Sequence, residues 1–133
     1  MTKEGNSDKP YSIEMSIQGS RYCISIGKGV VRALGKPSHV TMKTTDTQDS
    51  VSVLACDEDD VMAFRVPTKF FTDHHCVFRI HSKKFVHGIL LANGLDISKT
   101  YTVRGEYIED KGTAVFSLTD GVSVKPPRVY KEE

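Results

Sequence analysis

The sequence predicts a mainly β fold with two short helices, an α+β domain built from two strand–helix–hairpin halves. Apolar and polar residues alternate in several short stretches, which is the period of half-buried strands. Two short segments switch to helical spacing, and the order strand, short helix, strand, turn, strand occurs around each of them. A lone hairpin is marginal by itself, so we expect halves 11–66 and 67–120 to pack on each other.

The strands are predicted from this alternation and from the polar, Gly-containing or Pro-containing segments that bound them. In the first half they lie at about residues 11–17, 21–26, 38–44, 50–55 and 61–66. In the second half they lie at about residues 76–80, 100–108 and 113–118. Turns are predicted at residues 18–20 and 109–112.

Two helices interrupt the strands. The first begins at Lys28 and stops at Gly35, since glycine readily adopts the left-handed conformation of a helix end. Ser82 is the predicted N-cap of the second helix, and Gly94 belongs to its stop. The apolar stripes consist of Val30, Val31 and Leu34 in the first helix and of Phe85, Val86, Ile89 and Leu90 in the second.

Composition places the chain among soluble globular domains. Of 133 residues, 38% are hydrophobic and 26% are charged, and no apolar run reaches the ~18 residues of a membrane span. The N-terminus lacks an apolar signal region, which predicts a cytoplasmic protein. Three cysteines without a secretory signal argue against a disulfide framework, and Cys23 is interpreted as a small core residue of a strand.

The two ends of the chain differ from its body. Residues 1–10 are polar and are predicted to form a flexible lead. Residues 121–133 contain Pro126-Pro127, which favours an extended path, and they are interpreted as a loosely attached tail or as a partner-binding arm. One domain is therefore expected over residues 11–120.

One stretch of the first half, from Gly19 to Cys56, resembles the AbrB/MraZ-type swapped-hairpin (SpoVT-AbrB-like) domain. The residues that carry the resemblance are Gly19, Arg21, Ile24, Ile26, Lys28, Val30, Arg32, Leu34, Gly35, Val40, Val51 and Val53. MraZ-like members hold two copies per chain, which suits the repeated halves. The resemblance implies a small pseudo-twofold β-barrel, often a homo-oligomer, that binds DNA through basic residues around the strand–helix junction.

The formal net charge of +1 hides two segments that contain no acidic residue, Met15–Thr45 and His74–Leu95. They coincide with the two strand–helix segments. Their basic side chains could attract phosphate by charge and by counterion release, or could solvate the outer face of the helices. The candidate nucleic-acid-binding residues are Arg21, Lys28, Arg32, Lys36, Arg79, Lys83 and Lys84.

Few other residues carry site chemistry. The acidic run Asp57–Asp60 could bind a cation, but a solvated turn is the favoured interpretation. His74 and Cys76 would share one face of a strand, too few ligands to predict a metal site. No P-loop, GxGxxG, HExxH or GxSxG motif occurs. We therefore expect no cofactor, no metal and no enzymatic activity.

Three functions remain open at this level. The first is a DNA-binding transcriptional regulator of AbrB/MraZ-like type, with double-stranded DNA as its partner. The alternative is a non-catalytic inhibitor encoded by a phage or mobile element, of anti-CRISPR or other anti-defence type, that binds a host protein. The third is binding of a small phosphorylated ligand, such as a signalling nucleotide, by the basic helix ends.

Overall fold

The computed structural model describes residues 13–119 and 122–124, so the predicted lead over residues 1–10 and most of the predicted tail lie outside the described residues. The strands are β1 (Glu14–Gln18), β2 (Cys23–Ile26), β3 (His39–Thr44), β4 (Ser50–Ala55), β5 (Phe64–Arg65), β6 (Phe78–His81), β7 (Thr100–Ile108), β8 (Thr113–Ser117) and β9 (Val122–Val124). The helices are α1 (Lys28–Ala33) and α2 (Lys83–Ala92), and two 3₁₀ turns span Gly19–Arg21 and Glu109–Lys111.

The strands form one antiparallel sheet that curls into a nearly closed barrel. Neighbouring strands follow the order β5–β3–β4–β8–β7–β1–β2–β6. β7 pairs along residues 100–104 with β1 and along residues 105–108 with β8, and β9 pairs with residues 101–103 of β7. The order therefore ends at β5 and β6, and residues 66–77 connect these two strands.

The interior of the barrel is filled by the apolar members of each alternating strand. Met15 and Ile17 of β1 and Phe116 of β8 are at most 2% exposed. Both helices bury most of the stripes that the sequence indicates, with Val30 and Val31 in α1 and with Val86, Ile89 and Leu90 in α2, whereas Leu34 and Phe85 are partly buried. Each such side chain contributes about 1.5–3 kcal/mol by leaving water, so this core dominates the stability of the fold.

The longest strand contains a glycine where another strand's side chain lies close to its backbone. Gly105 lies at the point where β7 changes partner from β1 to β8. A Cβ atom built on Gly105 would lie 2.5 Å from the ring of Phe116, the largest fully buried side chain. Glycine in this strand therefore makes room for the core ring.

The predicted fold class, mainly β with two short helices, is confirmed. The strands expected at residues 50–55 and 100–108 have those bounds, Ser82 caps α2 by accepting the N–H of Phe85, and Cys23 is buried in β2. The predicted turns at residues 18–20 and 109–112 are mostly 3₁₀ turns. No helix within the described part of the chain is long and apolar enough to cross a membrane.

Four elements differ from the predictions, and hydrogen bonds in turns account for three of them. β2 begins at Cys23 rather than at about residue 21, because the Tyr22 N–H donates to the Gly19 carbonyl in a 3₁₀ turn. β5 has two residues rather than the six expected at 61–66, because Asp60 bonds the backbone N–H groups of Met62 and Ala63. β6 begins at Phe78 rather than at Cys76, whose N–H is bonded to Asp73 in a turn. Residues 122–124, within the predicted tail, form β9 and pair with β7.

Candidate nucleic-acid interface

Three of the seven predicted basic residues lie along the β2–β6 strand pair, Arg21 and Lys83 at its Cys23–His81 end and Arg79 opposite Ser25. Arg21 closes the first 3₁₀ turn, Arg79 lies on the outer face of β6, and Lys83 opens α2. All three side chains are exposed. Arg21 and Lys83 lie beside Tyr22, which is 40% exposed, and Arg79 lies on the neighbouring strand opposite Ser25. These four residues are called the Tyr22 patch.

Tyr22 is held by contacts on several sides. Its backbone is left-handed (φ 56°) and its N–H donates to the carbonyl of Gly19. The N–H of Ser82 donates to the Tyr22 carbonyl at 2.9 Å. The Tyr22 ring meets His87 edge-on with 5.0 Å between ring centroids, and Lys83 Nζ lies 5.2 Å from the ring centroid. The aromatic side chain is therefore exposed but fixed in place.

The turn that carries Arg21 is anchored by a glycine. The Gly19 N–H donates to the carbonyl of Lys99 at 3.1 Å, and His87 Nε2 lies 3.2 Å from the Gly19 carbonyl oxygen. A Cβ atom on Gly19 would overlap the backbone carbonyl of Ile97. Only glycine allows this close approach of two backbones.

The thiol of Cys23 lies beneath the patch. Its Sγ donates to the side-chain oxygen of Gln18 at 3.3 Å. Burial raises the pKa of the Cys23 thiol, and the positive charges of Arg79 and Arg21 offset part of that effect. The thiol itself therefore remains protonated and structural.

The cations of the patch lack carboxylate partners. Within residues 13–119 and 122–124, Arg21, Arg79 and Lys83 form no ion pair, in contrast to Arg104, which lies 3.9 Å from Glu14. Surface cations that only solubilise a protein are commonly interspersed with acidic side chains. The patch is therefore a local concentration of positive charge that is available to an external anion.

Lys28 lies at the opposite end of the β2–β6 pair, roughly 10 Å away at about 3.4 Å per strand residue. Its Nζ donates to the carbonyl of Cys76 at 3.2 Å and lies 4.3 Å from the centroid of the Phe70 ring. It borders a pocket of about 270 Å³ that Ser16, Ser25 and His74 also line. Lys28 therefore fastens the segment between β5 and β6 to α1.

Of the remaining predicted residues, Lys84 directly follows Lys83 of the patch, whereas Arg32 and Lys36 belong to α1 and the segment after it. Lys36 follows α1 and its Nζ lies 4.6 Å from the centroid of the Phe71 ring. Arg32 is exposed on the last turn of α1, and Lys84 is exposed on the first turn of α2. The seven residues thus occupy more than one surface.

The structure adds two residues that the sequence interpretation missed. Tyr22 was passed over because no run of interleaved basic and aromatic residues marks it, although it adjoins Arg21. Arg65 lies outside both acid-free segments, close in sequence to Asp57–Asp60, yet it lines a second pocket together with Lys36. Only the pairing of β5 with β3 brings Arg65 to the end of α1.

The other two candidate clusters of the sequence are the acidic run Asp57–Asp60 and the pair His74 and Cys76. Asp57–Asp60 form an exposed turn in which the Asp60 N–H donates to the Asp57 carbonyl. His74 and Cys76 lie in the turn before β6 and both line the 270 Å³ pocket. Among the described residues, no group of three or more His, Cys, Asp or Glu side chains is placed to hold a metal ion.

Comparison of the chain with models of known protein families, with curated proteins and with solved structures finds no match. The functional argument therefore depends on the geometry of the chain itself.

Proposed function

We propose that the chain binds double-stranded DNA through the Tyr22 patch and acts as a transcriptional regulator of AbrB/MraZ-like type. One observation carries the proposal: Arg21 and Lys83 lie beside an exposed, fixed tyrosine, Arg79 lies on the neighbouring strand, and none of the three forms an ion pair within the described residues. Arginine pairs bidentately with phosphate, and lysine adds a point charge. The Tyr22 hydroxyl adds a hydrogen-bond donor for a phosphate oxygen.

The charge of the patch sets the expected salt dependence. Binding to duplex DNA releases counterions in proportion to the number of phosphates that are neutralised, with a slope of about −0.9 per phosphate. Three cations per chain predict a slope of about −3 in a plot of log K against log salt concentration. The homo-oligomer that the family resemblance implies would multiply this slope by the number of patches that contact DNA.

Internal duplication of the barrel is the second part of the proposal. Exchanging β1 with β5, β2 with β6, β3 with β7 and β4 with β8 preserves most of the observed strand pairs. The β2–β6 and β4–β8 pairs map onto themselves, β1–β7 maps onto β5–β3, and β3–β4 maps onto β7–β8. This supports a pseudo-twofold axis between the β2–β6 and β4–β8 pairs.

The first residues of the two helices support the same axis. Lys28 opens α1 and lies over Phe70, which precedes β6. Lys83 opens α2 and lies over Tyr22, which precedes β2. Each lysine thus covers an aromatic ring on the N-terminal side of the partner strand, directly before β2 for Tyr22 and eight residues before β6 for Phe70. The two copies differ in exposure, since Tyr22 is 40% exposed and Phe70 is 2% exposed, which favours the Tyr22 side for binding.

The test is a salt titration of fluorescence anisotropy with labelled random-sequence duplex DNA. We expect the double variant Arg21→Ala/Arg79→Ala to bind roughly tenfold more weakly at low salt and its slope to be shallower by about 2. Lys43→Ala is the matched control, because Lys43 is an exposed cation on β3 and outside the patch. Equal affinity and slope for the double variant and the wild type would refute the assignment of the site.

A second candidate, the inhibitor that binds a host protein, is favoured by one feature. The acidic turn Asp57–Asp60 leads directly to Val61, which is 93% exposed, and to Met62, which is 57% exposed. Exposed apolar side chains beside charged ones are typical of protein contact sites. In this case Val61→Ser/Met62→Ser would abolish capture of a host protein by the chain and leave the DNA titration unchanged.

A further inference from the structure

A second pocket lies between the end of α1 and the segment that follows β5, remote in sequence from the residues of the Tyr22 patch. Its volume is about 310 Å³, and we call it the Lys36–Arg65 pocket. Val31, Val66, Pro67 and Phe71 provide its apolar lining. Two of these side chains, Val31 and Val66, belong to the buried core, so the floor of the pocket is continuous with the interior.

The charged groups of this pocket are both positive. Lys36 and Arg65 line it, and no acidic residue does. Within the described part of the chain, neither cation forms an ion pair. Two positive side chains that border one concave surface repel each other, and an anion between them removes that repulsion while gaining charge-assisted hydrogen bonds.

The walls of the pocket are fixed before any ligand arrives. The N–H of Val66 donates to the carbonyl of Ser38 at 2.8 Å, which joins the two walls. The N–H of Lys36 donates to the carbonyl of Val31 at 2.9 Å and ties the first wall to α1. Lys36 Nζ lies over the Phe71 ring. A preformed pocket binds its ligand with little cost in conformational entropy.

The backbone at Lys36 adds a second observation. Lys36 has φ 55° directly after Gly35 at φ 86°. A residue with a Cβ atom is disfavoured in this left-handed region, where glycine is accommodated without strain. Glycine at position 36 would end the helix with less backbone strain than lysine does. The lysine side chain therefore has a role that offsets this strain.

We propose that the Lys36–Arg65 pocket binds a small organic anion whose phosphate or carboxylate lies between Lys36 and Arg65 and whose apolar ring lies on Phe71 and Pro67. The pocket volume is at the lower end of the range for small-molecule sites, which fits a single-ring ligand or part of a nucleotide. The inference is independent of DNA binding, because it uses neither Tyr22 nor the cations around it.

The test is a titration of ¹⁵N-labelled full-length chain with phenyl phosphate, benzoate, phenol and inorganic phosphate, followed by amide chemical shifts. We expect saturable shifts at the amides of Lys36, Ser38, Arg65, Val66 and Thr68 with phenyl phosphate or benzoate, and none with phenol. The double variant Lys36→Gln/Arg65→Gln should raise the dissociation constant roughly a hundredfold, since each of the two lost charged contacts is worth about one power of ten. Lys43→Gln is the control cation.

Each contrary outcome overturns a named part of the inference. Equal binding of phenol and phenyl phosphate would refute the anion, and equal binding of inorganic phosphate and phenyl phosphate would refute the apolar contact. No saturable shift with either phenyl phosphate or benzoate would refute the site. Retained binding by the Arg21→Ala/Arg79→Ala variant would show that this pocket and the Tyr22 patch are separate sites, whatever the outcome for DNA.

Discussion

The packing of the barrel core depends on the absence of a side chain at Gly105. Its missing Cβ leaves room for the Phe116 ring, so Gly105→Ala should lower the free energy of unfolding by about 1–3 kcal/mol, as overpacked cores do. Gly88→Ala is the matched control. Gly88 lies in α2 with only the Gln48 side chain near, at 3.7 Å, and alanine there should stabilise by up to about 1 kcal/mol. Denaturant unfolding of both variants measures these two changes in the free energy of unfolding, which we expect to have opposite signs.

Two exposed aspartates make stability depend on pH at the acid end. Hydrogen bonds from Thr45 and Thr47 lower the pKa of Asp49, and hydrogen bonds from Ser98 lower the pKa of Asp96. The folded pKa is below the ordinary value of 3.8, so the stabilisation is present above about pH 4 and is lost as pH falls below it. The Asp49→Asn/Asp96→Asn variant should therefore lose less stability than the wild type between pH 6 and pH 3. Equal losses of unfolding free energy for the variant and the wild type between pH 6 and pH 3, measured by urea unfolding, would contradict this prediction.

Residues were predictable from sequence where a local rule decides their role. Ser82 was recognised because capping depends on the next three residues, and Cys23 because alternation places it in a strand. Arg65 and Tyr22 were not recognised, since their importance arises from contacts with residues distant in sequence. In the sequence, Gly19 stands out only as part of the AbrB/MraZ-type resemblance. The close approach of Ile97, which requires glycine at this position, depends on the fold.

The stability of helix α2 depends on the N-cap at the start of its first turn. Ser82 Oγ accepts the N–H of Phe85 at 3.3 Å, and α2 buries Val86, Ile89 and Leu90 in the core. Ser82→Ala should lower the free energy of unfolding by about 1 kcal/mol, whereas Ser82→Asp should retain most of it, because aspartate caps equally well. Thermal unfolding of both variants is the measurement. An equal loss in both would show that something other than the cap is disturbed.

Strands were predictable where alternation is long and unbroken. The nine residues of β7 and the six of β4 have the expected bounds, since each alternates over most of its length. β5 and the start of β6 were misplaced because side chains of Asp60 and Asp73 bond nearby backbone N–H groups, which favours turns. β9 has three residues and exists through its pairing with β7, which no local pattern indicates.

At the scale of the molecule, neither half has its own complete sheet. β1 pairs with β7, β2 with β6, and β4 with β8, so each pairing joins residues before and after position 66. We expect the fragments 1–66 and 67–133 to be unfolded when they are expressed separately and to regain strand structure when mixed. Circular dichroism and amide spectra measure both states. A fragment that unfolds cooperatively by itself would contradict this interleaving.

The order of synthesis has a consequence for the same strands. Glu14 of β1 pairs with Arg104 of β7, which the ribosome adds 90 positions later. At about 5–20 residues per second, this partner follows roughly 5–20 s after β1. The apolar side of β1, with Met15 and Ile17, has no native neighbour strand from the second half during that interval. The nascent chain therefore offers chaperones an apolar strand for seconds, and the barrel closes only late in translation or after it.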